Sequence, residues 1–425
     1  MVNYLTELLP SARDYASLKS HWHRDVLAGV TVGIVALPLA LAFGITTGAG
    51  AQSGLITAIY AGFVAAIFGG SNYQVSGPTG AMTVVLVPIV SKYGVASLAP
   101  LGLLAGLIVM LMGISHLGGL INKVPWAVME GFTLGIAIVI ALQQLPSTLA
   151  SKNVSGANTI ATSWRTIKFA ISAGVHWTSL AIVVLTLAVK FIYPHIAVQL
   201  HLKIHIPASF VAIFIASCVV GIFGIQSPLI GVLPRSLHMN SSLSASHIGI
   251  YALLVGGIQI ALLASTESLL SARVADQMAH IHDPDHAYQP NRELFGQGLA
   301  TIASSLVGGM PATGAIARTS VNIRSHAQSR LSAITHALFL LLVVLLLNPV
   351  ISHIPTAALA AVLIGTSYRI AKPSNLKELL RTTKLDAITL LVTAAMVVII
   401  GLIWAIALGT ALYFVAKLLI NQRSI

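Results

Sequence analysis

The stretch "GGMPATGAIARTSVNIR" (308–324) breaks two long apolar runs with Gly, Pro and Thr and carries an arginine at position 318. A near copy lies upstream. "VSGPTGAMTVVLV" (75–87) resembles "GMPATGAIARTSV" (309–321), and Thr79-Gly80-Ala81 matches Thr313-Gly314-Ala315 at an offset of 234 residues. A second pair, "KVPWAVMEGFTLGIAI" (123–138) and "HIPTAALAAVLIGTSY" (353–368), aligns Pro125 with Pro355 at an offset of 230. Two independent matches at nearly one offset mark an internal duplication.

The surroundings say what was duplicated. The chain has 425 residues, of which 56% are hydrophobic and 8% charged, with a mean hydropathy of +0.90. A soluble chain of this length is about a quarter charged. Apolar runs recur from Trp22 to the C-terminus, enough for about a dozen to fourteen spans of about 20 residues each. The chain therefore reads as an all-α polytopic membrane protein. The expected segments are 25–47, 54–70, 79–91, 98–117, 124–144, 175–193, 206–224, 248–270, 292–308, 313–323, 331–348, 355–367, 385–400 and 402–420. The third and tenth, 79–91 and 313–323, are too short to span and read as half-helices. Each repeat holds seven segments, an odd number, so the second copy is inverted in the bilayer. Gly/Pro-broken segments at matching places in two inverted halves point to a transport site.

Charge orients the chain. Fourteen segments put both termini on one side, and most cations fall there, among them Arg13, Lys19, Arg24, Lys190, Arg273, Arg292, Arg324 and Arg330. Lys92, Lys152, Arg165, Lys168 and Arg235 fall on the other. That bias places both termini in the cytoplasm, in the cell inner (plasma) membrane. It also accounts for the formal charge of +12 through cytoplasmic loops rather than through nucleic acid. No signal peptide is read at the start. The single cysteine, Cys218, supports neither a disulfide nor a Cys-based metal site. The outside loop 145–174, rich in Ser, Thr and Asn, is expected to be irregular.

The two half-helices carry the chemistry. Each begins near the midplane after an extended piece, Gln74–Pro78 or Gly309–Ala312. A helix N-terminus offers unpaired N–H groups and about half a positive charge. Inverted symmetry aims both at one spot, which attracts an anion. Gly80 and Gly314 allow close backbone approach, and Thr79 and Thr313 can cap the helices or donate hydrogen bonds. Arg318 adds a permanent cation with a fork of donors suited to oxyanions. The competing reading is an arginine snorkelling to the cytoplasmic edge.

Glu267, in "IQIALLASTESLLSARVAD", has apolar sequence on both sides. A carboxylate there is protonated, paired with Arg318, or exposed to a cavity. Glu130 follows Pro125 within the first turns of a helix, where the dipole favours an acid. Phe43, in "VALPLALAFGITTG", offers a positive ring edge to an anion or simply packs. His280, His282, Asp283, Asp285 and His286 sit in a loop and read as solvated rather than as a metal site. The sequence shows no Walker A loop, zinc-protease helix or nucleophile elbow, so it reads as a non-enzyme without a cofactor, driven by an ion gradient.

At these residues the sequence resembles the sulfate permease family (solute carrier family 26). The most specific parts are "GVTVGIVALPLALAFGITTGAG" (29–50), "GGSNYQVSGPTGAMT" (69–83), "LLASTESLLSARVADQM" (262–278) and "NRELFGQGLATIASSLVGGMPATGAIARTSVNIRS" (291–325). The resemblance implies fourteen segments in two inverted seven-segment repeats. A core domain (25–117 and 225–348) would slide elevator-fashion against a gate domain (118–224 and 349–425), after a cytoplasmic N-terminal segment (1–24). It implies a homodimer in the lipid bilayer. By matching motifs it puts the anion site on Phe43, Thr79, Gly80, Ala81, Thr313, Gly314, Ala315, Ala317 and Arg318. Glu267 falls at the position linked in the family to proton or sodium coupling. Most members continue into a cytoplasmic STAS domain; this sequence, without one, stops at Ile425 just after the last expected segment, either naturally short or with that domain removed. The segment-2 stretch "QSGLITAIYAGFVAAIFGGS" lacks the usual Tyr-rich opening.

The resulting expectation is a proton-coupled symporter of small anions of the sulfate, bicarbonate or dicarboxylate class. The alternatives are an uncoupled exchanger or channel on the same fold, and a nucleobase permease. Arg318 speaks against the last, because neutral bases need paired donors and acceptors rather than a cation.

Overall fold

A computed structural model describes all residues except 1–5, 16–17, 120–123, 151–158, 202–205, 232–247, 282, 284–286, 372–382 and 424–425. Fifteen long helices are described. In the first repeat they are α1 (Leu18–Thr46), α2 (Ala51–Phe68), α3 (Gly80–Tyr93), α4 (Leu98–Ile114), α5 (Trp126–Gln143), α6 (Thr159–Ala173), α7 (Trp177–Gln199) and α8 (Ala208–Ile222). In the second they are α9 (Ile250–Met278), α10 (Pro290–Leu306), α11 (Ile316–Arg324), α12 (Leu331–Ile351), α13 (Thr356–Ala371), α14 (Lys384–Ile399) and α15 (Leu402–Arg423). All but α6 answer to the fourteen expected segments. Seven are long and apolar enough, by length and composition, to cross a membrane: those covering His21–Thr46, Ala51–Phe68, Val95–Ile114, Trp126–Thr148, Trp177–Gln199, Ile250–Met278 and Leu331–Ile351.

The repeats interlock. α1 packs on α12 as its counterpart α9 packs on α4, and α10 lies on α4 as α2 lies on α12. In the other helices, α5 packs on α14 as α13 packs on α7. At the centre two short strands, β1 (Ser76–Gly77) and β2 (Thr313–Gly314), pair antiparallel, Ser76 with Gly314 and Gly77 with Thr313. One residue further in that register, Pro78 would oppose Ala312, equivalent positions at the 234-residue offset. The crossing therefore lies on the pseudo-twofold axis of the duplication.

Backbone without helix at this depth needs protein partners, and it has them. Val75 N donates to Thr319 Oγ1 at 3.1 Å and Ala315 N to Val75 O at 3.0 Å. Gly314 N donates to Ser268 Oγ at 2.9 Å and Met310 N to Thr57 Oγ1 at 2.7 Å. The approach to β1 is held by buried Glu293 of α10. Its carboxylate accepts from Gly70 N (2.9 Å), Ser71 N (3.1 Å), Gln74 Nε2 (2.5 Å) and Gln297 Nε2 (3.0 Å).

Four expectations need correction. The loop 145–174 is not irregular throughout: α6 occupies Thr159–Ala173, seating Ser163, Thr166 and Ala170 inward and turning Ile160, Trp164 and Ile171 outward. Its small residues every three or four positions make a helix face that the Ser/Thr content disguised. The second half-helix begins at Ile316, not Thr313, because Thr313 and Gly314 are spent on the strand pairing. Lys190, read as a cytoplasmic-side cation, is not solvated. It is fully buried in α7, and Nζ donates to Val362 O (2.6 Å) and Thr366 Oγ1 (2.9 Å) of α13. Arg292 and Arg330 are likewise buried, at 4% and 2% exposure, beneath the N-terminal turn that carries Asp14. His282, Asp285, His286, Lys152 and Arg235 lie outside the described residues.

Candidate functional site

Glu267 of α9 reaches the crossing. Its Oε2 accepts from Thr79 Oγ1 at 2.8 Å and from Thr313 Oγ1 at 2.7 Å, and the two threonine oxygens stand 3.4 Å apart. One acidic oxygen thus sits where the repeats meet, held by equivalent hydroxyls from each. Thr79 is also the N-cap of α3, accepting from Met82 N at 3.4 Å. Thr313 caps nothing; Ala315 is the N-cap of α11 and makes no side-chain cap bond. The two tips are therefore chemically unlike, despite the matched sequence.

Arg318 sits in the first turn of α11 and is 2% exposed. Its Nη2 donates to the carbonyl of Pro78, the residue just before the α3 cap. This settles the choice left open by the sequence. The side chain does not snorkel; it turns inward and ties one half-helix to the strand that feeds the other. Gly77 makes room for it. A Cβ there would collide with Arg318 Nη1, and the residue has φ +153°. Glu267 and Arg318 share the site without pairing directly: the carboxylate takes hydroxyls and the guanidinium takes a carbonyl.

Phe43 and Gly80 also come together. A Cβ on Gly80 would stand 3.4 Å from Phe43 Cε1 and would collide with Ile140 of α5. Phe43 is 6% exposed, so its ring is largely covered while its edge lies against the α3 tip. Gly314 is pressed against the Gln74 side chain. Ala81 and Ala315 are buried behind the two tips, whereas Ala317 is exposed.

Sequence reasoning missed several contributors. Ser268 holds β2, and Thr319 holds β1 and takes a hydrogen bond from Ser271 at 3.2 Å. A small polar residue beside Glu267 was the available signal. Gln143 and Gln144, at the end of α5, accept from Thr83 Oγ1 (3.2 Å) and Thr46 Oγ1 (3.3 Å), tying α5 to α3 and α1. A cleft of about 150 Å³ opens beside the crossing, between Val124, Trp126 and Met129 on one side and Leu270, Arg273, Val274 and Gln277 of α9 on the other. It begins one turn along α9 from Glu267 and holds Arg273.

What the arrangement can do follows from its charges. Two helix N-termini, a buried guanidinium and two hydroxyls converge on one place, and the negative partner supplied by the chain is one carboxylate. A small anion is the species such a site attracts.

Comparison with known proteins agrees. The sequence profile of the sulfate permease family matches residues 22–393. YvdB of Bacillus subtilis, provisionally named a sulfate transporter, is 34% identical over 93% of this chain and 73% of its own length. The bicarbonate transporter BicA of Picosynechococcus sp. is 30% identical over 94% of this chain and 70% of its own. The solved transmembrane domain of a cyanobacterial BicA superposes with a TM-score of 0.80 at 27% identity, covering 91% of this chain and 98% of that one. Murine solute carrier 26 family member A9 shares the fold, with a TM-score of 0.83 at 17% identity over 99% of this chain and 72% of that one. The crossed half-helices are thus set in a known frame, and the chain belongs to the sulfate permease family.

Proposed function

We propose that the chain is a secondary transporter of small oxyanions of the sulfate, bicarbonate or dicarboxylate class, coupled to protons through Glu267. The observation that carries this is the Glu267 carboxylate seated between Thr79 and Thr313 at the meeting of the half-helix tips. While ionised, it occupies the donors an arriving anion would use. A proton on Glu267 removes that competitor and frees the hydroxyls, so proton and anion load together. Relatives named, provisionally, for sulfate transport and for bicarbonate transport support the substrate class.

In this reading α1–α4 and α9–α12 form the moving core, and α5, α7, α8 and α13–α15 the gate. The cleft beside α9 is the cytoplasmic approach, and the Gln143 and Gln144 bonds to Thr83 and Thr46 close the outer side. A homodimer built on the gate, in the inner membrane with both termini cytoplasmic, completes the proposal. Uptake of sulfate, bicarbonate and fumarate into proteoliposomes at several pH values tests it, with internal pH recorded. The wild type should acidify the lumen as anion enters, Arg318→Ala should lose uptake, and Glu267→Gln should lose pH dependence. Anion uptake without acidification, unchanged in Glu267→Gln, would establish an uncoupled carrier instead.

A further inference from the structure

Behind the crossing, three helices bring residue pairs four apart to one buried interior. α11 contributes Arg318 and Asn322, α12 contributes Ser332 and His336, and α2 contributes the small residues Ala58 and Gly62. Asn322, Ser332 and His336 are 0% exposed. A Cβ on Gly62 would stand 3.6 Å from His336 Nδ1 and 3.3 Å from Ser76 O. One turn earlier on α2, the Cα of Ala58 lies 3.3 Å from the Cβ position of Gly77, the same position that Arg318 Nη1 overlaps. The guanidinium and the imidazole therefore lie along one face of α2, with Ser76 and Gly77 beside them. Asn322 Nδ2 donates to Ser332 Oγ at 2.9 Å and to Tyr73 O at 2.8 Å, joining α11 to α12 and to the segment that leads into β1. Gly29 of α1 closes the wall: a Cβ there would sit 3.0 Å from His336 N.

Among the described residues, four side-chain atoms of this interior have no hydrogen-bond partner: Arg318 Nη1, Asn322 Oδ1 and both ring nitrogens of His336. Buried polar atoms are nearly always paired, and an unpaired charged donor is the costliest exception. The set comprises a cationic donor, an amide acceptor and an imidazole that both donates and accepts. Its complement is a small neutral molecule with both capacities, which is water. The Arg318 charge rules out a metal cation in the same place.

We propose that this interior binds ordered water that joins Arg318 Nη1 to the His336 ring, making His336 a positioning residue for the anion-site guanidinium. With Nη2 alone held by Pro78, the fork can pivot about one bond; the water-mediated bond fixes its plane. The inference rests on Arg318 serving the anion site, and its test separates the two.

The variants are His336→Phe, which keeps a ring but no hydrogen bond, His336→Asn, which restores a polar group near Nδ1, and Arg318→Ala. Sulfate and bicarbonate uptake kinetics and detergent melting temperatures are measured for each. His336→Phe should raise KM about tenfold while maximal rate changes little, and His336→Asn should recover most of that loss. A wild-type KM in His336→Phe beside a loss of uptake in Arg318→Ala overturns the proposal and leaves the anion reading standing. Wild-type kinetics in both overturns the two together. A density map of the wild-type protein that resolves water decides the matter without any substitution, even if His336→Phe does not fold. Density bridging Arg318 and His336 supports the proposal, and dry contact between them ends it.

Discussion

Gly77→Ala puts the crossing to its most direct test. The new Cβ would overlap Arg318 Nη1 and lie 3.3 Å from both Arg318 Cζ and Ala58 Cα. The strand cannot retreat, because Gly77 is paired with Thr313 and Ser76 with Gly314. Relief must come from the arginine, which gives up its bond to the Pro78 carbonyl. A hydrogen bond from a charged group is worth about 1.5–3 kcal/mol. Alanine at φ +153° adds roughly 1–3 kcal/mol of backbone strain. The total, about 2.5–6 kcal/mol, falls on stability and on anion affinity together. Gly221→Ala is the control, since nothing stands within 4 Å of its Cβ in α8. Alanine there gains up to about 1 kcal/mol of helix propensity. Melting temperature in detergent and uptake KM in proteoliposomes are read side by side. Gly77→Ala should melt lower and bind at least tenfold more weakly, whereas Gly221→Ala should match or exceed wild type. A Gly77→Ala protein indistinguishable from the control would show that Arg318 does not depend on this strand.

Two further expectations concern charges away from the crossing. Asp14 bonds Arg292 through both oxygens, at 2.9 and 2.8 Å, and lies 3.5 Å from Arg330 Nη2. Burial alone would push its carboxyl up. The Arg292 and Ser11 hydrogen bonds and the charges of Arg330 and Arg292 outweigh that and bring it from 3.8 to about 2. Because the folded value is depressed, this stabilisation is complete above about pH 4 and is lost as pH falls through about 2. Asp14→Asn should cost about 3 kcal/mol at neutral pH by removing the charge that buried Arg292 pairs with, and its melting curve should flatten between those pH values; equal acid sensitivity in both proteins would refute the pairing. Lys190 presents the opposite case, a buried ammonium held by a carbonyl and a hydroxyl. Lys190→Met should leave the melting temperature equal or higher, since a similar apolar chain avoids burying the charge, while Lys190→Ala should lower it by opening a cavity against Gly365. A strongly destabilised Lys190→Met would mean that the ammonium has a role these contacts do not explain.

How far the sequence reaches can be followed residue by residue. Helix positions were legible because apolar runs in lipid leave few alternatives to a helix, and the inverted duplication was legible because an offset near 234 recurs with odd segment parity. Thr79, Thr313, Glu267 and Arg318 stood out as polar residues where none are cheap. Their arrangement was not legible. The sequence left Arg318 free to snorkel and Glu267 free to pair with it; the fold turned the guanidinium to Pro78 and gave the carboxylate to two threonines. Lys190, Arg292 and Arg330 read as cytoplasmic-side cations and are buried by the packing.

By itself, then, the sequence determined fourteen of the helical segments, that they come as two opposed copies, and that Glu267 and Arg318 carry charge into the apolar interior. Only the tertiary structure decided who meets whom, with Glu293 on the approach to β1 and His336 behind Arg318. Local composition sets the cost of exposing a segment to lipid, and that cost is paid residue by residue along the chain. Hydrogen-bond partners are drawn from helices hundreds of positions apart, and no local pattern records which of them the packing brings within 3 Å.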